Sequence, residues 1–325
     1  MQEICWGIIG CGDVTEKKSG PAFSKIPQSK LVAVMRRDAA KAADYARRHY
    51  VPRWYANADE LIQDPEVNAI YIATPPDAHL EYTLKAAAAG KPVYVEKPMA
   101  LNYNQCQQMI AACAEAQVSL YVAYYRRGQP FFRKIKELIT SGAIGEVRLV
   151  NIRLYHPAKP DLSPTDLPWR VQPEISGGGL FFDLASHQLD LLDFFFGPIT
   201  QAQGHTANQA GLYPAEDIVT ANFSFDSGVQ GSGVWCFTVA ESARTDQTEI
   251  IGSAGRITYA TFDSDIITLE TAAGKQEIQI PYPEHVQQPL IQEMVAALLG
   301  QGTCPSTGES AARTALVMDK ITATP

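Results

Sequence analysis

The sequence is short of several things that would settle its class early. Its six cysteines (Cys5, Cys11, Cys106, Cys113, Cys236 and Cys304) show no regular spacing and no CxxC pair. That pattern excludes a disulfide framework and leaves reduced, mostly buried thiols. Basic residues are in the minority, 27 Lys and Arg against 35 Asp and Glu, for a net charge of −8. Such a balance argues against gripping a nucleic-acid backbone or a membrane surface. No run of 18 apolar residues occurs, so no segment reads as a membrane-spanning helix. Glu3 stands where a secretory leader would carry basic residues, and strand character begins at Ile4, so a cytoplasmic protein is expected. Internal repeats, low-complexity tracts and long charge runs are absent too.

What is there is ordinary globular material. The 325 residues, 46% of them apolar, suit two domains at roughly 150 residues each, with cores large enough to need no staples. The first part alternates short apolar runs (Ile4–Ile9, Leu31–Met35, Ala69–Ala73, Val93–Val95, Leu120–Ala123) with helical stretches (Ala39–His49, His79–Ala89, Asn104–Ala116). This predicts βαβ units and a doubly wound parallel sheet over 1–124. Asp38 reads as the N-cap of the Ala39 helix and Gly90 as a C-cap.

After Tyr125 the pattern changes. A helix (Phe131–Thr140), a strand (Glu146–Leu154), a proline-rich loop from Pro157 to Pro168 and a glycine-opened helix (Gly179–Phe195) lead into strands at Ile218–Phe225, Val229–Val239, Thr248–Ile251, Arg256–Tyr259, Ile266–Glu270 and Gln276–Ile280. Gly-bearing turns between them predict an antiparallel sheet. Two helices, Gln287–Leu299 and Glu309–Ile321, close the chain. The expectation is an α/β Rossmann-type domain followed by an α+β domain, 125–325, whose last helices are free to pack back on the first.

Chemistry-bearing residues fall at the strand ends. Gly10-Cys11-Gly12-Asp13-Val14-Thr15 follows the first strand and keeps the first two glycines of GxGxxG. These two give the tight turn and the close backbone approach a pyrophosphate needs. Thr15 replaces the third glycine, which predicts a slightly wider helix–strand spacing, and Gly20-Pro21 interrupts the first helix. Roughly 20 residues on, Met35-Arg36-Arg37-Asp38 ends the second strand. An acidic residue there would take a ribose 2′-hydroxyl, whereas arginines suit a 2′-phosphate. NADP is therefore favoured over NAD, with Asp38 as a helix cap. Thr74-Pro75-Pro76, with His79 after it, and Glu96-Lys97-Pro98 follow two further strands, where open α/β sheets bind ligands. A lysine there can hold a substrate hydroxyl and stabilise alkoxide character; the isomer of Pro98 is left open. In the second part, Gly177-Gly178-Gly179 opens a helix carrying Asp183 and His187, four apart on one face. Asp190 extends the stripe, but no metal is expected.

The GxG turn, Thr74-Pro75-Pro76, Glu96-Lys97-Pro98 and GGG-x3-D-x3-H together resemble the Gfo/Idh/MocA oxidoreductase family, over essentially the whole chain. The resemblance implies a Rossmann domain and an open-faced sheet that forms a homodimer or homotetramer. It also implies catalytic roles for Lys97, Asp183 and His187, and it is similar to NADP-using members at Arg37-Asp38. Gly10, Gly12, Asp13, Val14, Arg36, Arg37, Thr74, Pro75, His79, Glu96 and Lys97 are then the cofactor-side residues. Tyr125, Arg126, Trp169 and Arg170 join Lys97, Asp183 and His187 on the substrate side, with Tyr124, Tyr155 and His156 as further rim candidates. Tyr124-Tyr125-Arg126-Arg127 departs from relatives with Asn or His before the arginine. The implied reaction is hydride transfer to or from a CH–OH or carbonyl of a sugar, polyol or cyclic diol. Two other readings stay open: glycoside hydrolysis through transient oxidation by tightly bound NAD, and a non-enzymatic NAD(P)-linked regulator.

Overall fold

A computed structural model describes residues 2–158 and 166–323. Part of the proline-rich loop anticipated between Pro157 and Pro168 lies outside the described residues. The chain divides into two compact units: 1–129 joined by 283–312, and 130–282 joined by the chain from Arg313.

The first unit is built on six strands, β1 (Ile4–Ile9), β2 (Ser29–Met35), β3 (Arg53–Tyr55), β4 (Ala69–Ile72), β5 (Val93–Val95) and β6 (Leu120–Val122). They form one sheet in the order β3-β2-β1-β4-β5-β6, every neighbouring pair parallel. The residues of β1, β4 and β5 are buried almost throughout, as a sheet covered on both faces requires, while the edge strand β3 has none buried. The strand order reverses between β1 and β4, so their carboxyl ends are where a doubly wound sheet opens to a ligand. The core is aromatic: Trp6 packs on Phe23 with ring centroids 4.9 Å apart, and Tyr71 stacks on Tyr94 at 4.9 Å. Leu290, Ile291, Met294 and Val295, on the helix Gln288–Leu298, enter the same core. The first helix is split into Asp13–Lys17 and Gly20–Phe23, and a Cβ at Gly20 would clash with the Thr15 carbonyl and the Tyr45 hydroxyl. The strand β3 and the helix Ala58–Gln63 are additions to the sequence reading.

The second unit holds β7 (Val147–Pro157), β8 (Ile199–Ala207), β9 (Ile218–Phe225), β10 (Gln230–Val239), β11 (Thr245–Gly252), β12 (Gly255–Tyr259), β13 (Ile266–Thr271) and β14 (Gly274–Gln279). Their order is β14-β13-β12-β11-β7-β10-β9-β8. The pairing is antiparallel except between β7 and β10, which run parallel. Alternate residues of β7 (Val150, Ile152, Leu154) are buried, so one face packs and the other stays open. The packed face receives Leu189, Leu191, Leu192 and Phe195 of the helix Ser186–Phe196, together with Phe131, Phe132 and Phe181. The open face carries a groove of about 500 Å³ lined by Asn151, Gln203, Asn222, Ser224 and Ser232 among others. No helix among the described residues is long and apolar enough to cross a membrane, and all six cysteines are free thiols.

Candidate functional site

The glycine turn is held by backbone bonds before any side chain acts. Gly10 N and Cys11 N both donate to the Met35 carbonyl, at 2.9 and 3.1 Å, and Gly12 N donates to Gly10 O at 2.8 Å. Gly10 has φ +92°, and a Cβ there would press on Thr74 N and Cγ2 at 2.9 Å. The turn therefore needs glycine both for its dihedral angle and for its approach to the β4 end. At Gly12 a Cβ would meet nothing nearer than 3.9 Å, so space remains on that side for a ligand to reach the backbone. Asp13 and Val14 begin the helix after the turn. Thr15 is fully buried, and its hydroxyl donates to Gly12 O at 2.7 Å. The larger residue is thus tied into the turn by its own hydroxyl.

At the end of β2, Arg36 is half-buried and donates from Nη1 to the Cys11 carbonyl at 3.3 Å, while Arg37 is exposed. Asp38 accepts from Lys41 N at 3.1 Å and pairs with Lys41 Nζ at 3.6 Å; the backbone bond lowers its pKa. Its carboxylate is occupied at the start of the helix Ala39–Arg48. Beside this lies a cluster the sequence did not single out. Glu16 accepts from both terminal nitrogens of Arg48 at 2.7 and 2.8 Å and contacts His49 Nε2 at 2.7 Å. The Arg48 guanidinium holds the Glu16 carboxyl down to about 2.

Two turns at the ends of β4 and β5 are braced by one imidazole. His79 is fully buried; its Nε2 lies 2.8 Å from Thr74 O, and its Nδ1 3.0 Å from Pro98 O and 3.2 Å from Met99 O. Burial lowers its pKa. His79 thus connects the Thr74-Pro75-Pro76 turn to the Lys97-Pro98 turn, whose peptide bond is cis, and all its ring nitrogens face carbonyls. Glu96 is buried and accepts from Tyr71 OH at 2.6 Å, leading directly into Lys97. Tyr125 and Arg126 are buried in the same unit, with the guanidinium 5.3 Å from the Tyr125 ring centroid.

The second unit carries Asp183 and His187. Gly177, Gly178 and Gly179 all adopt positive φ, and Gly179 lies against the Ala215 side chain. The chain then winds as a π-helix over Phe181–Ala185 before the α-helix from Ser186. The sequence suggested one ordinary helix from Gly179; the wider π turn falls on Asp183, and such turns recur at functional positions. Asp183 pairs with Arg170 Nε at 3.1 Å, and that guanidinium lies 4.4 Å from the Trp169 ring centroid. Trp169, Arg170 and Asp183 are therefore one assembly, although Asp183 lies in a different segment from the adjacent Trp169-Arg170. His187 is buried, its ring 5.9 Å from Phe262. Three contacts fix the helix that bears it: Trp235 Nε1 donates to Gln188 Oε1 at 2.7 Å, Arg313 grips Asp193 through two 2.7 Å bonds, and Thr314 reaches Asp190 at 3.5 Å. His156 sits edge-on to Phe237, and burial lowers its pKa. Tyr155 is half-buried on the same strand. The groove on the open sheet face does not include Asp183 or His187 in its lining. Among the described residues no group of three or more His, Cys, Asp or Glu is placed to hold a metal ion.

Residues 4–124 match the model for the oxidoreductase family with an NAD-binding Rossmann fold, and 132–258 match the GFO/IDH/MocA C-terminal domain. The chain is 42% identical over 317 residues to "Oxidoreductase P35" of Formosa agariphila, covering 97% of each. It is 29% identical over 248 residues to a trans-1,2-dihydrobenzene-1,2-diol dehydrogenase of Mus musculus, covering 76% of this chain and 71% of that one. A levoglucosan dehydrogenase solved with NADH and levoglucosan has the same fold, with a TM-score of 0.87 at 22% identity over 98% of this chain and 96% of that chain.

Proposed function

The chain belongs to the Gfo/Idh/MocA family of NAD-binding oxidoreductases, and from that premise we propose that it transfers hydride between NADP and a CH–OH or carbonyl group of a sugar, polyol or cyclic diol. The observation that carries the reading is the Gly10–Gly12 turn at the reversal point of the parallel sheet, with Arg36 braced on Cys11 O. A dinucleotide fits this turn. Gly12 leaves its ligand side clear, and the backbone of Asp13 and Val14 follows at a helix start. Arg37 is exposed while Asp38 is spent as a helix cap, which supports a 2′-phosphate rather than a bare 2′-hydroxyl.

When bound, the nicotinamide supplies the hydride chemistry. Gly10, Gly12, Asp13, Val14, Arg36 and Arg37 hold the phosphate-bearing end, with Thr74, Pro75 and Glu96 beside them; His79 keeps the two turns in register. Lys97 binds the reacting oxygen and favours its alkoxide form. His187 takes the hydroxyl proton in oxidation and returns it in reduction. Asp183, held by Arg170, accepts from a substrate hydroxyl, and Trp169 supplies an apolar wall. Tyr125 and Arg126 complete the substrate-side set. The free thiols suit the cytoplasm, and the open sheet face with its polar groove is the surface through which copies pair.

The test follows NADPH and NADH absorbance against sugars, keto-sugars and diols, comparing the unaltered protein with His187→Ala. A stoichiometric change that needs His187 is expected. Cofactor that co-purifies but never turns over would replace this reading by transient oxidation. No binding and no turnover would overturn it.

A further inference from the structure

A closed polar network lies in the interior of the first unit, and its centre is a residue that no motif marks. Gln287 is fully buried. Its Nε2 donates to Glu96 Oε1 at 2.7 Å, and its Oε1 accepts from Tyr94 OH at 2.9 Å. Tyr71 OH donates to the same Glu96 oxygen at 2.6 Å, and Ser19 Oγ lies 3.1 Å from that hydroxyl. Lys97 N donates to the other oxygen, Glu96 Oε2, at 3.2 Å. The chemistry fixes the orientation of the amide: reversed, its carbonyl would face the Glu96 carboxylate, acceptor against acceptor. Burial pushes both phenols well above their ordinary range, so both remain donors.

The backbone of the same residue reaches the other half of the cofactor side. Gln287 N donates to Lys18 O at 3.2 Å, and His285 Nδ1 lies 2.7 Å from Lys17 O. These carbonyls end the helix that starts at the Gly12 turn. One residue therefore ties the phosphate turn to the strand end that carries Lys97.

We propose that Gln287 is a positioning residue for the nucleotide: by filling Glu96 Oε1 it leaves Oε2 as the oxygen that accepts from a nucleotide hydroxyl, and its backbone holds the glycine turn at the matching distance. The inference rests on the dinucleotide reading above. A neutral amide is required at this place. Leucine would strip one partner each from Glu96 and Tyr94, and glutamate would set a second carboxyl against the first.

The experiment is a fluorescence titration of the full chain with NADPH and with NADH at several pH values between about 6 and 9, for the unaltered protein, Gln287→Leu and Gln287→Glu. Gln287→Leu should weaken binding about 10-fold at every pH, as expected for losing one hydrogen bond to a charged group. Gln287→Glu keeps the shape, and its binding should loosen progressively as pH rises, because the two carboxyls share a proton only at the acid end. That slope is absent if the residue only fills space, so a lowered melting temperature with unaltered affinity and pH dependence overturns the inference. If Gln287→Leu does not fold, the isosteric Gln287→Glu decides alone. If the unaltered protein binds neither nucleotide, the dinucleotide reading falls and this inference falls with it. If it binds and both variants match it, only the inference falls.

Discussion

Each unit withdraws a glutamate carboxyl from water, Glu96 as a buried residue and Glu216 as a half-buried one, and the two are treated in opposite ways. Glu96 in the first unit receives Tyr71, Gln287 and the Lys97 backbone. Glu216 in the second has an Oε1 with no hydrogen-bond partner among the described residues, and burial pushes it up to about 7. Both carboxyls lose water, Glu96 the more completely, and the supply of donors is what differs. At the end of a parallel strand, side chains from neighbouring strands and from the returning chain converge on one carboxylate. Glu216 sits in the loop entering β9, before Asp217, whose own carboxylate accepts from Gln209 N and Ala210 N at 2.9 and 2.7 Å. There Gln209 N and Ala210 N serve Asp217, and desolvation shifts the ionisation of Glu216 up toward neutral pH.

The largest expected effects test whether both units supply reacting groups. Lys97→Ala from the first and His187→Ala from the second should each lower turnover roughly 100-fold or more while folding and nucleotide binding persist. Full activity in either variant would reduce that unit to scaffolding. Next comes the contrast between the carboxyls. Unfolded, Glu216 ionises near 4.5, and folded near 7. A carboxyl with a raised folded pKa costs the folded state nothing below pH 4.5 and progressively more between 4.5 and 7. Glu216→Gln should therefore stabilise the protein by about 1–3 kcal/mol at pH 8 and add nothing at pH 4. Equal melting temperatures at pH 8 would mean that Glu216 is served after all. A smaller effect concerns the nucleotide's phosphate: Arg37→Ala should weaken NADPH about 10-fold and leave NADH unchanged, measured as a ratio of dissociation constants. The smallest lies at Glu16, whose pKa of about 2 belongs to the folded state. Its stabilisation is present above pH 4.5 and is lost as pH falls toward 2. Because the Glu16–Arg48 pair is a third or more exposed on both sides, Glu16→Gln should flatten the acid limb of the stability curve by under about 1 kcal/mol.

How much of this was legible beforehand follows from the kind of signal each feature leaves. β1 and β5 were readable to the residue, because buried parallel strands are continuous apolar runs bounded by turns. β3 is no shorter than β5, but its Arg53-Trp54-Tyr55 has no buried position, so it leaves no apolar run to read. β8 reads Ile-Thr-Gln-Ala-Gln-Gly-His-Thr-Ala with every position at least partly exposed, so an edge strand left no apolar alternation to find. The π turn at Phe181–Ala185 is invisible in composition, since the same apolar residues suit an α-helix. The candidate site was legible where glycines, prolines and charged groups cluster at strand ends. Trp169, Arg170 and Asp183 were grouped on the substrate side, but their ion pair was not foreseen, because a contact across 13 residues has no sequence signature. Gln287 and Glu216 are single polar residues in unremarkable surroundings. Their importance comes from what faces them, which only the fold supplies.

The first unit is discontinuous, and this gives its biosynthesis a timetable. Its sheet is complete by Val122, yet Leu290, Ile291, Met294 and Val295 belong to its core and Gln287 to its polar centre. At ordinary ribosome speeds the stretch between Gln129 and Ala312 takes on the order of 10–40 s to emerge. For that interval the nascent sheet stands with an aromatic core open on one flank and Glu96 one donor short. A nascent chain arrested just after Tyr282 would lack those four core side chains and Gln287 altogether.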